Sequence, residues 1–284
     1  MLLCGSGEAF EARLEVQHNA PVVGRCMKGI MQEPLFLAAI TRRPGSIGED
    51  TFPWSLPALR GFTELRFERP VTFLVGENGT GKSTLLEGMA LLVDSVAMGS
   101  HDLKDDPTLE AARSFAAGCR HVRRKHARTR MFLRAEDVFG FVKRIDWEIR
   151  ENPSGQAAFF RAAYGDNPDG RSHGETFLEF LTYRMQAPGL YILDEPETPL
   201  SPSRILALMH LVRAGVARGS QFVIATHSPI LMAYPDAAIL EVSPQGISPV
   251  AWEDVEHVKV TRAFLRNPRR YLDELSRDAE LGDD

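Results

Sequence analysis

Cysteine is rare in this chain, and the three that occur (Cys4, Cys26 and Cys119) form an odd number without the spacing of a zinc site. This excludes a disulfide framework and is typical of a reducing compartment, so we expect a cytoplasmic location. No run of about 18 uncharged apolar residues occurs, which predicts no direct membrane insertion. The N-terminus lacks a basic segment followed by an apolar core, so it does not resemble a secretory signal.

Internal repeats and long heptad runs are also missing, which excludes a solenoid and a long coiled coil. What is present is an ordinary globular composition, with 44% hydrophobic and 25% charged residues. The 284 residues suffice for one large α/β domain, or for one domain with an insertion. A net charge of −5 shows that the chain as a whole is not built as a polyanion binder.

The ends of the chain differ from its middle. Residues 1–30 have no sustained helix or strand periodicity and are predicted to be a disordered extension, or to lie upstream of a true start at Met31. A terminal strand or helix docked on the domain is the alternative. The folded domain is predicted over residues 31–275, with a variable basic segment at about 97–135, and residues 276–284 are predicted to be an acidic tail.

One segment matches the phosphate-binding pattern G-x-x-x-x-G-K-[ST]. An apolar strand, Val71–Val75, precedes it, and apolar residues at helical spacing follow it, so the glycines lie in a strand-to-helix turn. Because the loop and both flanks match, a chance glycine-rich turn is the weaker interpretation. The predicted phosphate-binding residues are Gly76, Glu77, Asn78, Gly79, Thr80, Gly81, Lys82, Ser83 and Thr84. Lys82 would contact the β- and γ-phosphates, and the Ser83 hydroxyl would bind Mg²⁺.

Two later apolar runs end in polar residues suited to the same chemistry. Leu190–Leu193 stops at Asp194 and Glu195, the Walker B pattern, in which Asp194 would hold Mg²⁺ and Glu195 would act as general base. A solvated acidic turn is the alternative. Phe222–Ala225 is followed by Thr226 and His227, and a histidine at a strand end can reach a γ-phosphate and its attacking water. A purely structural histidine is the other interpretation.

The remaining elements are predicted from periodicity and turn residues. Helices are predicted after the loop through Val96, from Glu175, from Ser201 to Gly219 and over Val260–Leu275, and residues 152–174 are predicted to be a long loop. Strands are predicted at Leu35–Thr41, Leu65–Phe67, Val71–Val75, Met131–Leu133, Val142–Ile149, Leu190–Leu193, Phe222–Ala225, Ile239–Val242 and Ile247–Trp252.

The order GENGTGKST, RSHGE, LYILDEPE, IATHSP resembles the head of ABC-type ATPases, especially small bacterial SMC-like predicted ATPases with an SHGE motif. The resemblance covers roughly residues 35–272. It implies an α/β P-loop NTPase of the ABC-ATPase head type, with a mostly parallel core sheet flanked by helices and an antiparallel β subdomain. It further implies ATP and Mg²⁺ as cofactors, and hydrolysis in a homodimer with ATP sandwiched at its seam. Ser172 and Gly174 would contact the partner's ATP, and Glu197–Ser201 would be the D-loop at that seam.

The sequence departs from transporter ATPases in two places. The signature reads SHGE instead of LSGGQ, and no glutamine lies between Thr84 and Gln156, where the Q-loop glutamine is expected. Glu136 either substitutes for it or marks a plain strand end.

Residues 111–135 contain no acidic residue. Such a run either binds nucleic acid or forms a solvated or protein-facing surface, so a nucleic acid and an unknown protein both stay open as partners. The basic residues in it are Arg113, Arg120, Arg123, Arg124, Lys125, Arg128, Arg130 and Arg134.

Three functional hypotheses follow. The first is a soluble ATPase switch, with DNA maintenance or defence as the setting that the basic run mildly supports. The second is the ATPase subunit of an ABC transporter, which the missing glutamine and the SHGE signature disfavour. The third is a nucleotide-binding scaffold without turnover, which the intact Glu195 and His227 disfavour.

Overall fold

Two β-sheets with helices packed on them form the part of the chain that a computed structural model describes, residues 35–45, 48, 50–97, 103, 106–151 and 173–273. The strands are β1 Leu37–Arg42, β2 Glu64–Arg66, β3 Val71–Val75, β4 Val96–Ala97, β5 Cys119–Arg123, β6 Thr129–Arg134, β7 Gly189–Asp194, β8 Gln221–Ala225, β9 Ala238–Ser243 and β10 Gly246–Pro249. The helices are α1 Lys82–Leu92, α2 Glu110–Gly118, α3 Ala135–Glu151, α4 His173–Arg184, α5 Pro202–Ala217, α6 Pro229–Met232 and α7 Glu256–Arg266.

The larger sheet has seven strands in the order β10-β9-β3-β8-β7-β6-β4. All of its pairs are parallel except β10 with β9. The central strands β3, β8 and β7 are buried along their whole length, and for that reason each is a continuous apolar run in the sequence. Because these three strands are parallel neighbours, the residues that follow their carboxyl ends meet at one edge of the sheet.

Side chains alternate between the two faces of this sheet and build two cores. Phe73 on β3 belongs to a cluster with helices α4 and α5, through Phe177 and Leu208. Its neighbour Leu74 belongs to a second cluster with helices α1 and α2, through Leu86 and Phe115. The sheet is therefore covered on both faces, as parallel sheets require.

The smaller sheet is antiparallel, in the order β2-β1-β5, and matches the predicted antiparallel β subdomain. The buried side chain of Gln221, at the start of β8, ties it to the larger sheet. Gln221 Nε2 donates to the carbonyl of Leu37 and Gln221 Oε1 accepts from its N–H, both at 2.9 Å. Trp54, from the segment between β1 and β2, is fully buried and stacks on Phe115 at 5.3 Å. The two sheets thus share one core.

One strand prediction is wrong. Val142–Ile149 is not a strand but part of helix α3. Over such a short window, the apolar and charged residues fit both the strand period of two and the helix period of 3.6. Only the longer stretch from Ala135 distinguishes helix from strand. Among the side chains of this helix that the structure describes, Ala135, Val138 and Asp146 are buried, and their spacing of three and eight residues belongs to one helical face.

The ends of several other helices and strands differ from the predicted ones. The helix after the glycine loop ends at Leu92, so Val96 lies in strand β4 instead. The strand near Ile247 ends at Pro249, and Trp252 begins a 3-10 turn, Trp252–Asp254. The C-terminal helix begins at Glu256 and ends at Arg266, with helical residues again over 268–273, because Pro268 has no N–H to continue the ladder.

Helix α2 and strand β5 lie in the basic segment, where the sequence predicted no regular element. Met131–Leu133, by contrast, is confirmed as part of β6. The predicted extension 1–30, most of the predicted loop 152–174 and the acidic tail 276–284 lie outside the described residues. Within the described part of the chain, no helix combines the length and the apolar character that crossing a bilayer requires.

Candidate functional site

The glycine loop lies between β3 and α1, as predicted, and Lys82 is the first residue of α1. Gly76, Gly79 and Gly81 have φ angles of 142°, 79° and 99°. Side chains strongly disfavour such angles, so the loop needs glycine at these places. Glu77, Asn78 and Gly79 are exposed at its tip, and Thr80 Oγ1 donates to the carbonyl of Glu77 at 2.8 Å.

Lys82 is folded onto this loop and is only 5% exposed. Its ammonium group donates to the carbonyls of Gly76 and Glu77 at 2.7 and 2.8 Å. Burial lowers the pKa of Lys82, while the carboxylates of Glu195, Asp194 and Glu197 act to raise it. The ammonium group of Lys82 is thus buried against the glycine loop, and three carboxylates act on it electrostatically.

We expect Gly76→Ala to destabilise the protein far more than Gly79→Ala. A Cβ at Gly76 would lie 2.3 Å from the carbonyl oxygen of Val242, a backbone atom, whereas a Cβ at Gly79 would meet nothing within 4 Å. The free energy of unfolding should fall by roughly 3 kcal/mol or more for Gly76→Ala, and by about 1 kcal/mol for Gly79→Ala from backbone strain alone. Urea unfolding measures both, and equal losses would contradict the close packing of the loop against β9.

Asp194 ends strand β7 and is 7% exposed. It is hydrogen-bonded to the Ser83 hydroxyl, and its Oδ1 has no hydrogen-bond partner among the described residues. Burial raises the pKa of Asp194 to about 6, with Glu195 and Glu87 adding to the rise and Ser83 and Arg134 opposing it. The two predicted metal ligands, Ser83 and Asp194, are therefore in contact.

Glu195 leaves the strand in a left-handed conformation, with φ of 47°, while its N–H still donates to the carbonyl of Ala225 at 3.0 Å. This conformation is costly for a residue with a side chain, and such strain is frequent at functional sites. The Glu195 side chain is 43% exposed, and its Oε1 lies 3.5 Å from Nε2 of His227. The predicted base and the predicted strand-end histidine are thus neighbours.

The resemblance placed Glu197 in the D-loop at the seam, but the sequence did not predict the contacts that Glu197 makes within the site. Its Oε1 accepts from the hydroxyl of Thr226 at 2.6 Å and from the backbone N–H of His227 at 2.7 Å. Its Oε2 is buried without a partner in the described part of the chain, and burial raises the pKa of this carboxyl. The carboxylate of Glu197 therefore joins the turn after β7 to the end of β8. The only signal in the sequence was a third acid in Asp194-Glu195-Pro196-Glu197.

His227 follows β8, and its ring Nδ1 lies 2.9 Å from Nε2 of His257. Burial, Lys82 and His257 lower the pKa of His227, and Glu195 acts to raise it. Nothing in the sequence pointed to His257, which lies 30 residues further along the chain.

Arg134 is a third residue that the sequence did not single out for the site. It ends β6 beside Asp194 in register and forms an ion pair with Glu87. Glu136, the candidate for the missing glutamine, lies in the first turn of α3 rather than at a strand end, and its side chain is outside the described residues.

The predicted signature segment is described only in part. Ser172 lies outside the described residues, whereas Gly174 is buried in the first turn of α4. A Cβ at Gly174 would come within 2.8 Å of Arg204 Nη1 and 2.9 Å of the carbonyl oxygen of Pro199. Arg204 also pairs with Glu175 at 2.9 Å. The start of α4 therefore packs tightly against the segment after β7 and the first turn of α5.

Two protein-family models and one known protein match segments of the chain that contain residues of this site. A family model described as "AAA domain" matches residues 55–150, and one described as "AAA domain, putative AbiEii toxin, Type IV TA system" matches residues 176–233. The cytochrome c biogenesis ATP-binding export protein CcmA of Rhodospirillum rubrum is 30% identical over 174 residues, which cover 59% of this chain and 71% of that protein. The chain belongs to the ABC-type P-loop ATPases. Its sheets and helices form the α/β fold of an ABC-type ATPase head.

Two solved structures illustrate what this chain resembles. The SMC head domain from Thermotoga maritima is 14% identical, covers 76% of this chain and 100% of its own, and has a TM-score of 0.42. The cbiO1 protein from Clostridium perfringens, part of the ABC transporter complex cbiONQ, is 17% identical, with coverage of 84% and 99% and a TM-score of 0.42.

Proposed function

We propose that this ABC-type chain binds ATP with Mg²⁺ and hydrolyses it. The observation that carries this proposal is the convergence of Lys82, the Ser83–Asp194 contact and the Glu195–His227 pair at one edge of the parallel sheet. The strand-to-helix loop offers its N–H groups and a buried ammonium to phosphates. Since these groups come from three separate segments, a purely structural role explains them less well.

The residues present fit Mg²⁺. Ser83 and Asp194 supply a hydroxyl and a buried carboxylate with one oxygen unpaired, and Mg²⁺ in nucleotide sites takes its other ligands from phosphates and water. Bound Mg²⁺ would neutralise charge on the phosphates.

In the hydrolysis that we propose, Glu195 accepts a proton from the attacking water, whose oxygen bonds to the γ-phosphorus as the bond from that phosphorus to the bridging oxygen breaks. The electron pair of the broken bond stays on the β-phosphate oxygen, so ADP and phosphate leave. Lys82 contacts the β- and γ-phosphates, and His227 orients the terminal phosphate from the end of β8. The test is Mg²⁺-dependent release of phosphate from ATP by the purified protein. Its absence, with ATP still bound, would leave the scaffold without turnover as the function.

We expect Asp194→Asn to stabilise the metal-free protein and to remove its response to Mg²⁺. The pKa of Asp194 is about 6 in the fold and 3.8 ordinarily, so the metal-free fold loses stability as the pH rises from about 4 to 6. Asparagine removes that loss, and at pH 8 the free energy of unfolding should rise by about 1–3 kcal/mol. Urea unfolding in EDTA and in Mg²⁺–ATP measures both effects. Unchanged stability in EDTA together with full stabilisation by Mg²⁺–ATP would contradict the assignment.

We also propose that two copies close over two ATP molecules, with the Ser172–Gly174 segment of each reaching the other's nucleotide. The resemblance to ABC-type heads supports this arrangement, and ATP-driven closure followed by hydrolysis would make the protein a switch. A cytoplasmic location and a role in defence remain part of this proposal, the latter supported by the toxin-related family description over residues 176–233.

In the structure, fewer basic residues are available to contact a nucleic acid than the sequence alone indicated. Arg113 and Arg130 donate to backbone carbonyls, and Arg134 pairs with Glu87. The exposed cations of the segment are Arg120, Arg123, Arg124 and Arg128, on and after the edge strand β5. This cluster is what a DNA backbone could contact.

If DNA is the partner, reversing Arg123, Arg124 and Arg128 to Glu should weaken its binding and flatten the salt dependence, because fewer counterions are released. Arg266, Arg269 and Arg270 are also exposed, and their reversal gives a control with the same change of net charge. Binding of duplex DNA is measured by fluorescence anisotropy at several salt concentrations. A wild-type protein that binds no DNA at ~50 mM salt would remove this role.

A transporter subunit is the second candidate function, favoured by the identity to an export ATPase. Purification of the protein from native membranes tests this candidate. A stable complex with an integral membrane protein would replace the switch proposal.

A further inference from the structure

The ring of His227 lies between His257 and Glu195, and only the contact with His257 is a hydrogen bond. Its backbone N–H is bound by Glu197, its Nδ1 lies 2.9 Å from Nε2 of His257, and its Nε2 lies 3.5 Å from Oε1 of Glu195. The two imidazole rings meet edge to face, with centroids 4.7 Å apart and an angle of 61° between their planes. One ring nitrogen therefore faces a second histidine, and the other faces the proposed general base.

His257 has its own anchors, independent of His227. It lies in the first turn of α7, flanked by the buried side chains of Val255 and Val258. Just before α7, Trp252 Nε1 donates to the carbonyl of Pro229 at 3.0 Å, two residues after His227. The C-terminal segment is thus fastened to the loop that follows β8, and His257 is fixed relative to His227.

The hydrogen bond between the two rings needs one donor and one acceptor. If Nδ1 of a neutral His227 donated, its Nε2 would present a lone pair to the carboxylate of Glu195, and two acceptors would face each other. If instead His257 Nε2–H donates, Nδ1 of His227 accepts and its Nε2 carries the proton toward Glu195. The second arrangement is the electrostatically favourable one.

A doubly protonated His227 does not fit this environment. The charged groups around the ring are Lys82, Glu195 and Glu197, with His257 as the remaining titratable neighbour. Burial and Lys82 lower the pKa of His227. A neutral ring with a defined tautomer is therefore expected near neutral pH.

We propose that His257 is a positioning residue for His227: its Nε2–H donates to Nδ1 of His227 and fixes the tautomer of His227 that carries its proton on Nε2. The effect of this tautomer on catalysis rests on the proposed function, because Nε2–H of His227 meets a terminal phosphate only if the protein binds ATP at this site. The tautomer itself is a property of the nucleotide-free protein. The protonated nitrogen of a histidine is commonly set by the bond that the other nitrogen makes.

Two substitutions separate the hydrogen bond from the packing. His257→Gln keeps an amide N–H near the position of Nε2, whereas His257→Leu keeps bulk and removes the donor. His126→Leu, at an exposed histidine between β5 and β6, serves as the matched control. The protein contains 8 histidines, so ¹⁵N-histidine spectra of wild type and His227→Gln assign the ring of His227 by its disappearance.

Long-range ¹H–¹⁵N spectra should show His227 protonated on Nε2 in wild type and His257→Gln, and a mixture of tautomers in His257→Leu. The kcat for ATP hydrolysis should fall about 10- to 100-fold in His257→Leu, by analogy with the loss seen when a metal-binding histidine loses its outer hydrogen-bond partner. KM for ATP should change less than about twofold, and His257→Gln should recover most of the rate.

Wild-type His227 protonated on Nδ1, or on both nitrogens at neutral pH, would overturn the inference. So would unchanged kcat in His257→Leu, or equal losses in His257→Leu and His257→Gln, which would indicate packing alone. A wild-type protein without ATPase activity but with the Nε2–H tautomer would instead contradict the proposed function and leave the positioning role supported.

Discussion

Replacing Glu195 by Gln leaves ATP binding intact and slows hydrolysis at least ~100-fold, if Glu195 is the general base. Glutamine has nearly the same volume but cannot accept the proton of the attacking water. The substitution adds no backbone strain beyond the φ of 47° that Glu195 already has. Phosphate release in a single turnover measures the rate, and filter binding measures the affinity.

Glu253→Gln is the matched control, since Glu253 is exposed in the turn Trp252–Asp254. It should hydrolyse ATP at the wild-type rate. Turnover by Glu195→Gln within a few-fold of wild type would show that another group is the base.

The same variant bears on assembly. If ATP joins two copies, Glu195→Gln in saturating Mg²⁺–ATP should be a dimer by light scattering, because uncleaved ATP keeps the seam closed. Adding Ser172→Arg places bulk and charge at the seam and should return the protein to monomer, while each copy still binds ATP through its own loop. A Glu195→Gln protein that stays monomeric, or a double variant that dimerises, would refute the shared site.

Lys82→Ala is expected to abolish tight ATP binding. Lys82 is 5% exposed, and its ammonium group donates to the carbonyls of Gly76 and Glu77 at 2.7 and 2.8 Å. Removal takes away the main positive charge available to the β- and γ-phosphates. Calorimetric titration with ATP measures the loss, and urea unfolding shows whether the loop's lost hydrogen bonds have altered the fold.

The exposed Lys259, replaced by Ala, gives the control for loss of one positive charge, and it should bind ATP as wild type does. Micromolar affinity for ATP in Lys82→Ala would contradict the assignment of the loop.

Local sequence predicted the parts whose physical cause is local. Val71–Val75 and Leu190–Leu193 are apolar on both faces because they are central strands, and the elements observed there match. Where the local signal served two periods, as in Val142–Ile149, a helix was mistaken for a strand. Strand β5 was missed because Cys119–Arg123 is an edge strand with mostly polar, exposed residues and no apolar run.

The candidate site divides in the same way. Lys82, Ser83, Asp194, Glu195 and His227 could be proposed as site residues from the sequence, since each follows or begins an element with a strong local pattern. The roles of Glu197, Arg134 and His257 were not, since their contacts join residues 29 or more positions apart.

The sequence by itself therefore determined that the chain has a phosphate loop, a strand-end acid pair and a strand-end histidine, and the order in which they come. Only the tertiary structure decided that Glu197 ties the turn after β7 to the end of β8 and that His257 bonds the ring of His227. The tertiary structure also decided which basic residues of 111–135 contact other parts of the protein and which are exposed on and after the edge strand β5. The physical reason is that backbone patterns are set by near neighbours, whereas the partner of a polar side chain is set by which strands the sheet places side by side.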